Sequence, residues 1–156
     1  MKIAVFSDSH GNISPMLYAV EACRPDMILF LGDGSEEIGE IKKQFPQIPL
    51  KAVRGNCDRD SSLPETGLVS ADGVEIFMTH GHLYGVKSGF LYGLAQAACE
   101  SGAALTLYGH THLARLETIG AVTLLNPGSC GDRIKPSFAE VVTDGVGGFA
   151  CRIAYL

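Results

Sequence analysis

The sequence predicts an α/β fold in which two β-sheets pack together with helices on the outside. The first third of the chain alternates apolar runs with amphipathic stretches in the order β-α-β-α-β, which is typical of parallel strands joined by helices. The later part shows strand pairs separated by turn residues, which is typical of antiparallel hairpins. The chain has 156 residues, of which 46% are hydrophobic, so we expect a single domain over residues 1–156 with one sizeable core.

The elements of the first third are predicted from local patterns. Apolar runs predict three strands, at residues 3–6, 27–31 and 50–53. Ser14 followed by Pro15 predicts a helix start, because serine can cap a helix and proline fits its first turn. Ile38, Ile41 and Phe45 recur at helical spacing and predict a second helix, which lies between the second and third strands.

The remaining elements are predicted from turn residues and apolar spacing. Asp72-Gly73 is a typical hairpin turn and separates predicted strands at 68–70 and 74–78. The spacing of Phe90 and Leu94 predicts a helix over 90–100, with Gly102 as its stop. Further strands are predicted at 105–108, 114–119 and 122–125, and a final hairpin at 138–143 and 149–155.

Composition excludes several classes of protein. Twelve Lys and Arg against 17 Asp and Glu give a net charge of -5, which disfavours a protein that grips long nucleic acid by its phosphates. No apolar run reaches the roughly 18 residues of a membrane helix, and the apolar start is too short for a signal peptide core. The five cysteines are widely spaced and form no Cys-x-x-Cys pair, so we expect free thiols and a cytoplasmic protein.

The polar residues that can bind a metal follow five different predicted strands. They are Asp8 and His10 after the first strand, Asp33 after the second, Asn56 after the third, His80 after 74–78, and His110 and His112 after 105–108. Each motif alone is common in turns, but open sheets place ligand sites at the carboxyl ends of strands, so we expect the set to converge. Imidazole, carboxylate and amide donors suit Mn, Fe, Zn or Ni. The donors are too many for one tetrahedral ion, and two metals side by side form a clamp for phosphoryl groups.

These motifs resemble the calcineurin-like metallophosphoesterase family, and most closely its small single-domain bacterial and archaeal phosphodiesterase branch. The resemblance rests on the segments Asp8-Ser9-His10, Gly32-Asp33, Gly55-Asn56-Cys57-Asp58, His80-Gly81-His82, Gly109-His110-Thr111-His112 and Asn126-Pro127-Gly128-Ser129. It implies a four-layer α/β/β/α sandwich of two mixed β-sheets flanked by helices, which agrees with the prediction made above from local patterns.

The resemblance also implies two divalent metal ions, with Mn²⁺ favoured and Fe, Zn or Ni as alternatives. It assigns Asp8, His10 and His112 to the first ion, Asn56, His80 and His110 to the second, and Asp33 to both. The implied reaction is attack of a metal-bridging hydroxide on phosphorus, opposite the leaving alkoxide.

Asn56, Cys57 and His82 are the candidate catalytic residues. Cys57 stands where many family members carry a histidine that protonates the leaving group. A thiol with an ordinary pKa of about 8.5 is a poorer proton donor at neutral pH, so we expect faster turnover of diesters with acidic leaving groups. The sequence leaves three interpretations of His82 open: it contacts substrate, it orients a metal ligand, or it is an ordinary loop histidine. Asp58 is interpreted mainly as a turn residue, with support of the Asn56 loop as the alternative, and Glu37 as part of a solvated helix start.

The predicted function is therefore a metal-dependent phosphodiesterase acting on small organic phosphate or nucleotide diesters. The first alternative is a non-catalytic protein-binding scaffold, as in the small eukaryotic relative of the retromer coat. The second is a nuclease, which is disfavoured because the chain is short, acidic and without tryptophan. We expect a small phosphodiester as partner and no membrane, and the sequence leaves a homo-oligomer open.

Overall fold

The computed structural model describes residues 1–59 and 61–156. Its three α-helices are α1 (Ser14–Cys23), α2 (Ile38–Gln44) and α3 (Tyr92–Glu100), and three short 3₁₀ turns cover Ser35–Glu37, His82–Tyr84 and Val86–Ser88. Its ten strands are β1 (Lys2–Phe6), β2 (Met27–Phe30), β3 (Leu50–Ala52), β4 (Thr66–Ala71), β5 (Val74–Thr79), β6 (Leu105–Leu107), β7 (Arg115–Ile119), β8 (Val122–Asn126), β9 (Ser137–Thr143) and β10 (Phe149–Tyr155).

The strands form two mixed five-stranded sheets. The first has the order β10-β9-β1-β2-β3, in which β1, β2 and β3 are parallel and β9 and β10 are antiparallel. The second has the order β4-β5-β6-β8-β7, in which β5, β6 and β8 are parallel and the two edge strands are antiparallel. The parallel strands therefore lie on one side of the first sheet and at the centre of the second, and within each sheet they all end at one edge.

The hydrophobic core divides into three layers, which together define a four-layer sandwich. Val5 and Leu29 of the first sheet pack against Met78 and Leu107 of the second. The outer face of the first sheet packs on α1 and α2, through buried side chains such as Phe6 and Met16 of the second cluster. The outer face of the second sheet packs on α3. The predicted α/β/β/α sandwich is thus confirmed.

The predicted β4–β5 hairpin is confirmed, and β4 is longer than the sequence indicated. Asp72 and Gly73, with φ of 50° and 81°, both lie in the left-handed region, as a two-residue turn of type I′ requires. The start of α3 differs from the prediction: Phe90 lies before the helix and is 76% exposed. Gly89, with φ of 82°, reverses the chain there, and Leu91 and Leu94 supply the buried face.

The third predicted strand is an edge strand. β3 pairs with β2 on one side of the first sheet, and Lys51 at its centre is exposed. The run 50–53 therefore combines a half-buried strand with Val53, which is buried just beyond its end. Within the described residues, none of the helices combines the length and the apolar character that crossing a bilayer requires.

Candidate metal centre

The polar residues predicted at the strand ends converge at one edge of the sandwich. Asp8 and His10 follow β1, Asp33 follows β2, Asn56 and Cys57 follow β3, His80 follows β5, and His110 and His112 follow β6. Since β1 to β3 and β5 to β6 are parallel within their sheets, their carboxyl ends deliver side chains from both sheets to a shared site.

Two histidines form the inner pair of the site, His80 and His110. Their ring nitrogens, Nε2 of His80 and Nδ1 of His110, lie 3.1 Å apart. His80 is fully buried, and its Nδ1 lies 2.8 Å from the carbonyl oxygen of Leu31. That contact holds Nδ1 as the protonated nitrogen, so Nε2 is left facing Oδ2 of Asp33 at 3.4 Å.

Two further histidines form the outer pair, His10 and His112. Their Nε2 atoms lie 3.2 Å apart, and their side chains are 38% and 45% exposed. Nε2 of His112 lies 3.2 Å from Oδ1 of Asp8, whose carboxylate is fully buried. The outer pair is thus open to solvent on one side and faces a buried carboxylate on the other.

The two carboxylates connect the pairs. Oδ2 of Asp33 lies 3.4 Å from Nε2 of His80 and 3.9 Å from Nε2 of His10. Oδ1 of Asp8 lies 3.7 Å from Nε2 of His10 and 4.0 Å from Nε2 of His80. Asp33 therefore reaches one histidine of each pair, as a carboxylate shared between two cations must.

The donors fit divalent metal ions. Donor atoms of Asp8, His10 and His112 lie within 4.8 Å of one another, as do those of Asp33, His80 and His110. Oδ1 of Asp8 is buried and, although Nε2 of His112 lies 3.2 Å away, it accepts no hydrogen bond of good geometry among the described residues, a costly state for a carboxylate oxygen unless a cation compensates it. The nitrogen separations in both pairs approach the about 3.4 Å expected between two nitrogens that bind one tetrahedral ion at about 2.1 Å.

The loops that carry these side chains hold unusual backbone conformations. Seven non-glycine residues among those described have positive φ, and five of them are candidate ligands: Asp8, His10, Asp33, His110 and His112, with φ of 56°, 44°, 57°, 69° and 60°. Left-handed conformations are unfavourable for residues with a Cβ, and such strain concentrates at functional sites. Packing and hydrogen bonds around the site must hold these loops in place.

Asp58 is the main support of the Asp33 loop. Its carboxylate accepts hydrogen bonds from the backbone N–H groups of Asp33, Gly34, Ser35 and Gly55 at 2.8–2.9 Å. Burial raises the pKa of this carboxyl, but the N–H donors outweigh burial and hold the pKa below its usual range. The interpretation of Asp58 mainly as a turn residue is therefore wrong, and the alternative, support of the loops, is the one that the structure shows.

Two glycines allow the loops to approach one another. A Cβ on Gly55 would lie 2.7 Å from the backbone nitrogen of Asp33, and one on Gly109 would lie 2.8 Å from Oδ2 of Asp8. Real Cβ atoms do not make contacts this short. In the space that Gly109 leaves open, the N–H of His110 donates a hydrogen bond to Oδ2 of Asp8 at 3.1 Å.

Glu37 and Asn126 support the other ligand loops. The carboxylate of Glu37 accepts hydrogen bonds from Oγ of Ser9 and from the N–H of Gly11, on either side of His10. Glu37 lies at the start of α2, as predicted, but it is only partly exposed and supports the His10 loop instead of being fully solvated. The buried amide of Asn126 donates to the carbonyl of Gly109 at 2.9 Å and to Oγ1 of Thr111 at 3.1 Å, which fixes the segment that carries the last two histidines.

The three candidate catalytic residues lie around the same donors. Asn56 is exposed, and its amide donates a hydrogen bond to Sγ of Cys57 at 3.4 Å. The backbone N–H of Cys57 donates to Oδ1 of Asp33 at 2.8 Å. The ring of His82 lies 5.5 Å from that of His80, and its Nδ1 is buried without a hydrogen-bond partner among the described residues.

The charges of the site shift the pKa values of its histidines. Burial lowers the pKa of His80, but Asp33 and Asp8 beside it outweigh burial and leave the pKa above its ordinary value. Burial and the neighbouring His80 lower the pKa of His110 to about 4. His110 is therefore a neutral imidazole at neutral pH, which is the form that coordinates metal ions.

An open cleft of about 730 Å³ adjoins the site. The residues that line it include His10, Asp33 and Cys57 of the site, together with Lys42 and Arg59. Its volume falls within the range typical of small-molecule sites.

Comparison with known proteins identifies the family. A sequence model of the calcineurin-like phosphoesterase superfamily domain matches residues 1–144. The chain belongs to this superfamily. The prediction of a calcineurin-like family member is confirmed.

Individual proteins show the same relationship. The chain is 32% identical to the probable metallophosphoesterase YsnB of Bacillus subtilis, over 83% of this chain and 75% of that protein. It is 37% identical to the phosphodiesterase YfcE of Escherichia coli, over 83% of this chain and 79% of that protein. A conserved uncharacterized protein of Streptococcus pneumoniae, a predicted phosphoesterase, superposes with a TM-score of 0.79 at 27% identity over 99% of this chain and 88% of that chain. The family and these relatives support a metal-dependent phosphoesterase.

The sequence of this phosphoesterase indicated the roles of the three supporting residues, Asn126, Asp58 and Glu37, to different degrees. Asn126 stands in the Asn-Pro-Gly-Ser segment that contributed to the resemblance, but its bonds to the Gly109 segment were not predicted. Asp58 directly follows the Asn56-Cys57 motif, which was a usable signal. Glu37 carries no local signal, because its partners lie more than 25 residues away in sequence.

Proposed function

We propose that this protein is a phosphodiesterase that hydrolyses small organic phosphate or nucleotide diesters with two divalent metal ions. The observation that carries the proposal is the pair of donor groups joined by Asp33, beside a buried and unpartnered oxygen of Asp8. Two adjacent cations bound by carboxylate and imidazole are suited to phosphoryl transfer, because the reaction places charge on oxygens that cations can neutralise.

The proposed ligands follow the two donor groups. Asp8, His10 and His112 hold the first ion, Asn56, His80 and His110 hold the second, and Asp33 is shared. When bound, the ions acidify a water molecule and neutralise charge on the phosphoryl oxygens. Among the ions that suit these donors, we propose Mn²⁺, with Fe, Zn and Ni as alternatives.

Hydrogen bonds within the chain fix the orientation of the proposed metal ligands. Nδ1 of His80 stays on the carbonyl of Leu31, so that ring cannot turn away from Asp33. Asp58 holds the Asp33 loop and the Asn56 loop together, which fixes the distance between donors of two strands. Proximity set in advance lowers the entropic part of the barrier.

Asn56, Cys57 and His82 are proposed to act on the substrate side of the centre. Burial and the carboxylates of Asp33, Asp58 and Asp8 raise the pKa of the Cys57 thiol. The thiol therefore keeps its proton at neutral pH, but it is a weaker acid than an imidazolium and protonates a leaving alkoxide less effectively. We accordingly propose a preference for diesters with acidic leaving groups.

The cleft beside the centre supports a small substrate. Its volume of about 730 Å³ suits a molecule of nucleotide size, and the net charge of -5 disfavours a long polyanion. The five free thiols support the further proposal of a cytoplasmic location, because reducing conditions keep such cysteines unpaired.

The test is hydrolysis of bis(4-nitrophenyl) phosphate by the full chain, stripped of metal with a chelator and then supplied with Mn²⁺, Zn²⁺, Ni²⁺ or Mg²⁺. We expect turnover that depends on metal, is highest with Mn²⁺, and exceeds turnover of the monoester 4-nitrophenyl phosphate. The variant Asp144→Asn serves as a control, because Asp144 caps a turn between β9 and β10.

Each other outcome points to one alternative. Metal binding without turnover of any diester, monoester or cyclic nucleotide would favour the scaffold. Progressive digestion of a plain oligonucleotide would favour the nuclease. Retained activity after complete removal of metal would contradict the proposed chemistry itself.

A further inference from the structure

Cys57 lies among metal donors that the proposed ligand set does not connect to it. Its Sγ, a ring nitrogen of His10 and a carboxylate oxygen of Asp33 all lie within 4.8 Å of one another. The N–H of Cys57 is bonded to Oδ1 of Asp33, so the backbone holds the thiol against the shared carboxylate. The side chain is exposed in the cleft, so an ion can reach it.

A second observation points to the same place. Oδ1 of Asp8 is fully buried and accepts no hydrogen bond of good geometry among the described residues, and it lies 3.2 Å from Nε2 of His112 and 3.7 Å from Nε2 of His10. His10 thus belongs to two donor groups, one with Asp8 and His112 and one with Asp33 and Cys57. The sulfur lies within 4.8 Å of a ring nitrogen of His10, a member of the outer pair whose side chain is 38% exposed.

We propose that Sγ of Cys57 is a metal-selective ligand. It coordinates thiophilic divalent ions such as Zn²⁺ and Co²⁺ at the outer pair, but it does not coordinate Mn²⁺. This proposal rests on the proposed metal centre and adds a donor to it. Thiolate sulfur is a soft ligand that selects Zn over Mn, whereas carboxylate and imidazole accept both. Coordination replaces the S–H bond by a sulfur–metal bond and releases the proton to solvent.

The consequence is a site whose donor set depends on the ion it holds. With Mn²⁺ the thiol is not coordinated and faces the cleft. With Zn²⁺ or Co²⁺ the thiolate occupies a coordination position beside Asp33, and the thiol is no longer free to act on a substrate. Cys57 therefore couples the identity of the bound metal to the chemistry that remains open in the cleft.

The experiment loads the metal-stripped full chain with Co²⁺ and records its absorption spectrum. Thiolate bound to Co²⁺ gives a strong charge-transfer absorption in the near ultraviolet, which oxygen and nitrogen ligands do not give. We expect this absorption in the wild type and its loss in Cys57→Ser. Cys99→Ser is the matched control, because Cys99 is also exposed but lies on α3, and it should keep the absorption.

A second readout measures affinity without activity. Cys57→Ser should weaken Zn²⁺ binding by roughly tenfold or more, because removal of a ligand should cost at least as much as removal of a residue that supports one. Binding of Mn²⁺ should change by less than about twofold, since sulfur contributes little to that ion. Circular dichroism of each variant checks that the fold is kept.

The outcomes separate this proposal from the proposed function. Co²⁺ that binds with visible d–d bands but no charge-transfer absorption would overturn the role of Cys57 and leave the metal centre intact. Charge-transfer absorption that persists in Cys57→Ser would overturn it as well. Failure of the wild type to bind any divalent ion would overturn both proposals.

Discussion

The inner and outer histidine pairs are built from the same residue type but are held in different ways. His80 of the inner pair is fully buried, and its second ring nitrogen is fixed by the carbonyl of Leu31. The side chains of His10 and His112 of the outer pair are 38% and 45% exposed. Their ring nitrogens contact each other and the carboxylates of the site. His80 is thus part of the core, whereas the two histidines of the outer pair lie at the surface of the site.

This difference predicts which properties depend on each pair. Substitution of His80 should affect both folding and metal binding, because its ring is fully buried. Substitution in the outer pair should affect metal binding with little effect on folding. Asp33 contacts both pairs, so its substitution should affect both pairs together and not one of them alone.

The largest expected effect comes from Asp33→Asn. The substitution keeps size but removes the charge shared by the two proposed ions. Metal ions supply several kcal/mol of transition-state stabilisation, so we expect a loss of kcat/KM on the order of a thousandfold or more. Diester hydrolysis with Mn²⁺ and metal content per chain measure it, and loss of only one ion would show that Asp33 serves a single pair.

The comparison between the pairs is sharpest in unfolding measurements without added metal. His80→Ala should lower the free energy of unfolding by about 2–4 kcal/mol, because it leaves a cavity and an unpaired carbonyl at Leu31. His112→Ala should change it by less than about 0.5 kcal/mol, as is usual for exposed sites. Both variants should lose activity with Mn²⁺. Equal destabilisation in urea would remove the distinction between the pairs.

Asp58→Asn tests whether the support beneath the shared carboxylate is needed. An amide oxygen still accepts hydrogen bonds, but the charge is gone and the amide NH₂ faces N–H donors. We expect a ten- to hundredfold loss of metal affinity. The matched control is Asp144→Asn, since Asp144 also accepts backbone N–H groups in a turn. Similar metal affinity in both variants, by calorimetric titration, would contradict a role for Asp58 in positioning.

The smallest expected effect concerns the leaving group. Cys57→His introduces a better proton donor beside the centre, so diesters with alkyl leaving groups should gain severalfold relative to aryl diesters. The measurement is the slope of log kcat/KM against the pKa of the leaving group. An unchanged slope would mean that Cys57 does not stand on the leaving-group side.

Much of the fold followed from local patterns, because each parallel strand is an apolar run between turn residues. The site residues were also visible, since Asp8, Asp33 and His80 each lie two positions beyond the end of such a run. The left-handed backbone at these ligands was not predictable, because it opposes local preference. The four hydrogen bonds of Asp58 were hidden for a similar reason: three of its four donors lie more than 20 residues away, and tertiary packing alone brings them near.

The opposite edge of the sandwich has a practical use. The Asp72 carboxylate binds the amino group of Met1 and Oγ1 of Thr143 there, where the β4–β5 and β9–β10 turns meet. Because every proposed ligand lies at the other end of the strands, reporter domains or immobilising tags inserted at residues 145–147 should leave catalysis unaffected. The exposed β9–β10 turn is therefore a suitable attachment point.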